Sequence, residues 1–154
     1  MSVLRLGVVD IPYVRRPTAV AVNRAAKGSG EPATTGSVAQ ILEDRYHVME
    51  VFYETHAEVI GDQIANSIAG AIETLNMGGT PADPFASAAE GLREQFHDFI
   101  SSAAIEGLGI PGVPTKAALE GVNHRLKSGR GLRRPSFRDT GLYQASFRAW
   151  TEQG

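Results

Sequence analysis

His47 and Glu50, and again Glu94 and His97, stand three residues apart, a spacing that puts both side chains on one face of a helix. Imidazole beside carboxylate is metal-ligand chemistry, and helical di-metal carboxylate sites use a Glu-x-x-His motif twice with two further glutamates. Here that order occurs once, so the pairs read as parts of a solvated acidic face, and neither a metal nor another cofactor is expected. Asp139-Thr140-Gly141 is the tripeptide of aspartic proteases. Their dyad needs a second aspartate in an apolar site, whereas Arg138 directly precedes Asp139 and keeps it ionised. Asp139 therefore reads as a turn or cap residue. No Gly-x-Ser-x-Gly elbow occurs, and the glycine loops "GSGEP" and "GRGL" lack the Lys-Ser/Thr ending of a phosphate loop. His47, His56, His97 and His124 fall on separate predicted turns, with His56 near an apolar stripe as a packed side chain. The sequence thus points away from an enzyme.

Charge carries more information than any of these motifs. The 154 residues sum to a net charge of −2, but the two signs are segregated. Glu43 to Asp98 holds eleven acids against two arginines, and Lys116 to Arg148 holds eight bases against two acids. Glu50, Glu54 and Glu58 form a like-charge ladder at four-residue steps, costing an isolated helix a few tenths of a kcal/mol per pair. A facing basic surface would account for it. Arg130, Arg133, Arg134 and Arg138, with Phe137 among them, supply such a surface. Guanidinium groups on a proline-fixed loop suit bidentate carboxylate contacts. The same loop offers phosphate contacts and a stacking ring for nucleic acid, which the chain's net acidity disfavours.

These residues need elements to hold them. "VLRLGVV" and "TAVAV" have the partial alternation and β-branched content of strands or an extended arm, with Pro12 and Pro17 excluding a central strand between them. "AAKGSGEPATTGS" reads as a linker. From Ser37, with Gln40 completing a capping-box pattern, apolar residues recur at three- and four-residue steps through Val38, Ile41, Leu42, Met49, Phe52, Val59, Ile60, Ile64, Ile68, Ala71, Ile72 and Leu75. An unbroken helix of that length would span roughly 57 Å, wider than a compact domain of this size. It must break near Gly61 or project into a neighbour. A second helix is expected with Asp83 as N-cap, Pro84 in its first turn, and Phe85, Leu92, Phe96, Phe99, Ile100 and Ala103 as its stripe. A third runs from Thr115 toward Gly129 with Ala118, Leu119, Val122 and Leu126 inward. Asp139 or Thr140 can cap a turn of helix through "GLYQAS", and "FRAWTE" alternates like a closing strand.

The expected class is α+β: a long central helix, two shorter helices, an extended N-terminal arm and a small sheet of N- and C-terminal strands. The chain reads as a single domain, with arm and linker over 1–36, a helical body over 37–128, and a basic loop and closing strand over 129–154. No cysteine is present, which removes disulfides and most zinc and iron–sulfur sites. The apolar run at the start is short and broken by Arg5 and Asp10, so no signal peptide is expected. No segment approaches the roughly 20 apolar residues of a membrane span.

"RRPSFRDTGLYQASFRAWTE", through Asp139, Thr140, Gly141, Leu142 and Ser146, resembles the C-terminal end of tailed-bacteriophage neck proteins of the tail-completion, minor-tail-component type. The plan of long helices between terminal β segments is also similar, while the N-terminal arm and the length of the central helix depart from that family. The resemblance implies a non-enzymatic virion subunit, assembled in the host cytoplasm into a homo-oligomeric ring around the DNA channel at the head–tail junction. Other neck, connector or tail-tube proteins would be its neighbours, and tail completion, terminator, adaptor and stopper all remain open as its place. The residues expected at contacts are Arg130, Arg133, Arg134, Phe137, Arg138, Asp139, Thr140, Gly141 and Tyr143 on the basic side, and Glu50, Glu54 and Glu58 on the acidic side. The alternative is a DNA-associated packaging or regulatory protein acting through the arginine loop.

Overall fold

The computed structural model describes residues 2–13, 33–81, 83–122, 129–138 and 140–153. The expected strand "TAVAV", most of the linker, the second half of the third helix and Asp139 lie outside these residues. Strand β1 (Ser2–Val8) pairs antiparallel with β2 (Phe147–Gln153) in a two-stranded sheet. Between them run α1 (Thr35–Tyr46), α2 (Val48–Asn76), α3 (Ala86–Ser101), a 3₁₀ turn (Ala104–Leu108), α4 (Lys116–Glu120) and α5 (Leu142–Ser146). The α+β class, the long helix and the sheet of terminal strands are all present.

The sheet register follows from alternation. Leu6 faces Ala149 and Val8 faces Phe147 across the ladder, and this side packs on the core. Trp150 lies on the opposite side, and its ring covers Gly7, where an added Cβ would come within 2.8 Å of it. The core itself is aromatic. Phe96 stacks on Phe147 with centroids 4.1 Å apart and meets Phe52 edge-on at 5.2 Å. Leu92, Ile100, Ile105 and Val48 complete it without exposure. Full burial of each such side chain contributes roughly 1.5–3 kcal/mol.

Helix α1 begins at Thr35, not Ser37. Thr34 is the cap: its Oγ1 accepts from the Ser37 N–H and the Ser37 hydroxyl accepts from the Thr34 N–H. The box therefore sits three residues upstream of the expected one. Buried Thr35 stitches the N-terminal segment to this helix start, donating to the Val9 carbonyl at 2.6 Å and accepting from Ile11 N–H at 2.8 Å.

The long helical run breaks at His47, not at Gly61. His47 adopts a left-handed conformation with φ 51° and serves both as C-cap of α1 and as N-cap of α2. Its own side chain does not cap α2. The Glu43 carboxylate reaches over from α1 and accepts from Met49 N–H at 2.8 Å and Glu50 N–H at 3.1 Å, satisfying donors that a helix start leaves open. Gly61 stays helical, because one interior glycine costs only about 1 kcal/mol.

Helix α3 starts two residues later than expected. Asp83 still caps the approach, accepting from Phe85 N–H at 2.9 Å. In the third helix Thr115 is the N-cap as expected, accepting from Ala118 N–H, but α4 ends at Glu120 with Gly121 left-handed, and Leu119 is exposed where it was expected inward.

Candidate functional site

Helices α2 and α3 pack against one another. Ser67 Oγ lies 2.6 Å from the Pro84 carbonyl and from Ser87 Oγ, so the first turn of α3 stands beside Ser67. Residues 68–76 of α2 therefore run past the start of α3 by about 14 Å. Along this extension Ile68, Ile72 and Leu75 are exposed, and Met77 follows at 81% exposure. The sequence shows them as one apolar stripe continuous with Phe52 and Ile60, yet only Phe52 and Ile60 reach the core. Asp62 and Glu73, eleven residues apart and so on one face of the helix to one side of the stripe, are exposed, and neither forms an ion pair among the described residues.

At the other pole, where α2 begins and α3 ends, lies the basic loop 129–138. Its arginines do not act alike. Arg133 Nη2 donates to Glu106 Oε2 at 2.7 Å, and the same carboxylate accepts from the N–H and hydroxyl of buried Ser136, both at 2.8 Å. Burial raises the Glu106 pKa, but the Ser136 donors and Arg133 outweigh it and hold the carboxyl below its ordinary value. Arg134 donates to the Val122 carbonyl at 2.9 Å and to the Arg138 carbonyl. Phe137, with φ 66°, packs its ring 5.0 Å from Tyr46. Arg130 reaches Glu120 only at 3.7 Å and keeps most of its side chain in solvent, and Arg138 is exposed.

Arg133, Arg134 and Phe137, expected at a contact surface, thus fasten the loop to the body, while Arg130 and Arg138 stay on the outside. Tyr143 is a core residue, 3% exposed, edge-on to Phe96. Burial pushes its phenol pKa upward, with Glu43 adding to the effect. Thr140 Oγ1 accepts from Leu142 N–H, and Gly141, at φ 78°, is the N-cap of α5. Glu50, Glu54 and Glu58 are exposed along the first half of α2, and Glu50 pairs with His47 Nδ1 at 2.8 Å. Glu106 escaped the sequence reading, because it falls between the acidic and basic segments and belongs to no motif.

The candidate chemical groups are employed locally. Ligand atoms of Glu43, His47 and Glu50 lie within 4.8 Å of one another, a grouping explained by the cap over the α1–α2 break. Glu94 and His97 do not bond to each other. His97 sits in an open groove with Arg93, Asp98 and Gln144, where the Gln144 amide bridges it to Ser101 at 2.9 and 3.1 Å. His56 is packed as expected, between Phe52 and Phe99. No helix among the described residues is long and apolar enough to cross a membrane. Comparison with family models, with curated proteins and with solved structures finds no match to this chain.

Proposed function

We propose that this chain is a structural subunit that works by assembly, and that its setting is a ring at the head–tail junction of a tailed-phage virion, as the C-terminal resemblance implies. The observation that carries the assembly reading is the α2 extension. Ile68, Ile72, Leu75 and Met77 stand uncovered on a helix that has outrun its own core, and a contiguous apolar face of that kind marks an interaction surface. The virion setting rests on the resemblance of "RRPSFRDTGLYQASFRAWTE" and of the plan of long helices between terminal β segments. The DNA-binding alternative loses support, since Arg133 and Arg134 are engaged with Glu106 and with backbone carbonyls.

Mass photometry of the purified chain, alone and mixed with tail-tube or connector proteins, tests the proposal. Discrete ring-sized particles are the expected result. A monomer that joins no virion component overturns it, and steeply salt-dependent DNA binding lost with Arg130→Ala and Arg138→Ala would favour the alternative.

A further inference from the structure

We infer that the α2 extension is covered by the basic loop of a second copy of this chain, with Leu132 as the residue that inserts. This rests on the assembly reading and names its interface. Leu132 is 93% exposed, the most exposed of the large apolar side chains among the described residues, yet its backbone is held on both sides. Gly131 N–H donates to the Glu120 carbonyl at 3.1 Å and Arg134 N–H to the Ala118 carbonyl at 3.1 Å. Gly121, at φ 62°, lets the Leu132 carbonyl approach so closely that a Cβ there would lie 2.3 Å from it. Next to it, Arg133 is bound to Glu106. A loop pinned at four points presents one apolar side chain to solvent, and a pre-organised anchor loses little entropy on binding.

The two patches match in chemistry. Leu132 lies in a loop that also carries exposed Arg130 and Arg138, whereas the apolar stripe of Ile68, Ile72 and Leu75 lies on a helix that carries exposed Asp62 and Glu73 to one side of it. Apolar groups accompanied by charge of opposite sign on the two patches suit a specific contact. The patches also lie at opposite poles of the α2–α3 pair, so one copy cannot satisfy itself. Two different patches on every subunit form a heterologous contact, which closes into a ring or continues as a filament.

Because the chain has no cysteine, Leu132→Cys and Ile72→Cys place single thiols at the two patches without background. Copper–phenanthroline oxidation of the mixed single variants is expected to give a disulfide-linked dimer containing one of each. The double variant is expected to give a ladder of covalent oligomers, and Leu132→Asp to weaken association of the otherwise unaltered chain at least tenfold. Dimers of Ile72→Cys with itself would overturn the inference in favour of α2–α2 pairing. Absence of crosslinks in the double variant, with multimers of the unmodified chain in mass photometry, would overturn this interface while leaving the assembly reading standing. Monomers without crosslinks, alone and with virion proteins, would overturn both.

Discussion

Glu106 shows how one side chain decides the use of several others. Its carboxylate is nearly buried, yet it carries three donors from Arg133 and Ser136. Truncation by Glu106→Ala leaves the buried Ser136 N–H and hydroxyl without an acceptor, and stability is expected to fall by about 2 kcal/mol, measured by urea unfolding near pH 7. The pH dependence has a definite sign. A carboxyl held below its ordinary value of 4.5 stabilises fully above that value, and the contribution is lost as pH falls through the folded-state pKa. The gap between parent and variant should therefore narrow below pH 4.5; a constant gap would mean that the charge is not what matters. Tyr143 is the converse case. Its hydroxyl is buried without a protein partner, so Tyr143→Phe is expected to leave stability unchanged or raise it by up to about 1 kcal/mol, whereas Phe147→Ala, beneath the same ring cluster, should cost about 3–5 kcal/mol.

At the scale of elements, the periodic apolar steps and the terminal alternation were readable from the chain, because each records a repeat of the backbone itself: Phe52, Ile60, Leu92, Phe96 and Phe147 all reach the core. Boundaries were less readable where the capping group belongs to another element. Nothing in the residue type of His47 announces a break, since the group that makes it tolerable is the Glu43 carboxylate, one turn earlier on α1, which folds over to the first N–H groups of α2. Likewise the arginine loop looked like a free cationic surface because Glu106, its partner, is 27 residues from Arg133. His47 gives the test of the break. A β-branched residue is poorly accommodated at positive φ, so His47→Val is expected to lower stability by about 1–2 kcal/mol while His47→Gly retains it, as thermal unfolding would show. Gly121 gives the test of the loop. With its φ of 62° and the Leu132 carbonyl in the way of a Cβ, Gly121→Ala should release the loop from α4, raising hydrogen exchange at Gly131 and Arg134 while exchange in α3 stays slow.

Across the whole molecule, the two ends of the α2–α3 pair carry different surfaces. The aromatic core sits where α2, α3 and β2 meet, leaving one pole with a pinned basic loop and the other with an uncovered apolar helix end. Charge segregation along the sequence anticipated two poles, but it pointed to the Glu50–Glu54–Glu58 ladder as the acidic partner. The structure puts the exposed apolar stripe farther along α2, with Asp62 and Glu73 to one side of it. The difference matters because a ladder of exposed carboxylates contributes little on its own, whereas apolar burial supplies most of the driving force in association. The consequence can be measured with a single variant. In the isolated chain Ile72→Gln with Leu75→Gln touches only exposed positions and should shift unfolding by no more than about 0.5 kcal/mol. At concentrations where the chain associates, the parent gains stability by mass action, so its Tm should climb with concentration while that of the variant stays level. Parallel concentration dependence in the two proteins would mean that the α2 extension remains in water in the assembled particle, and that another surface holds the copies together.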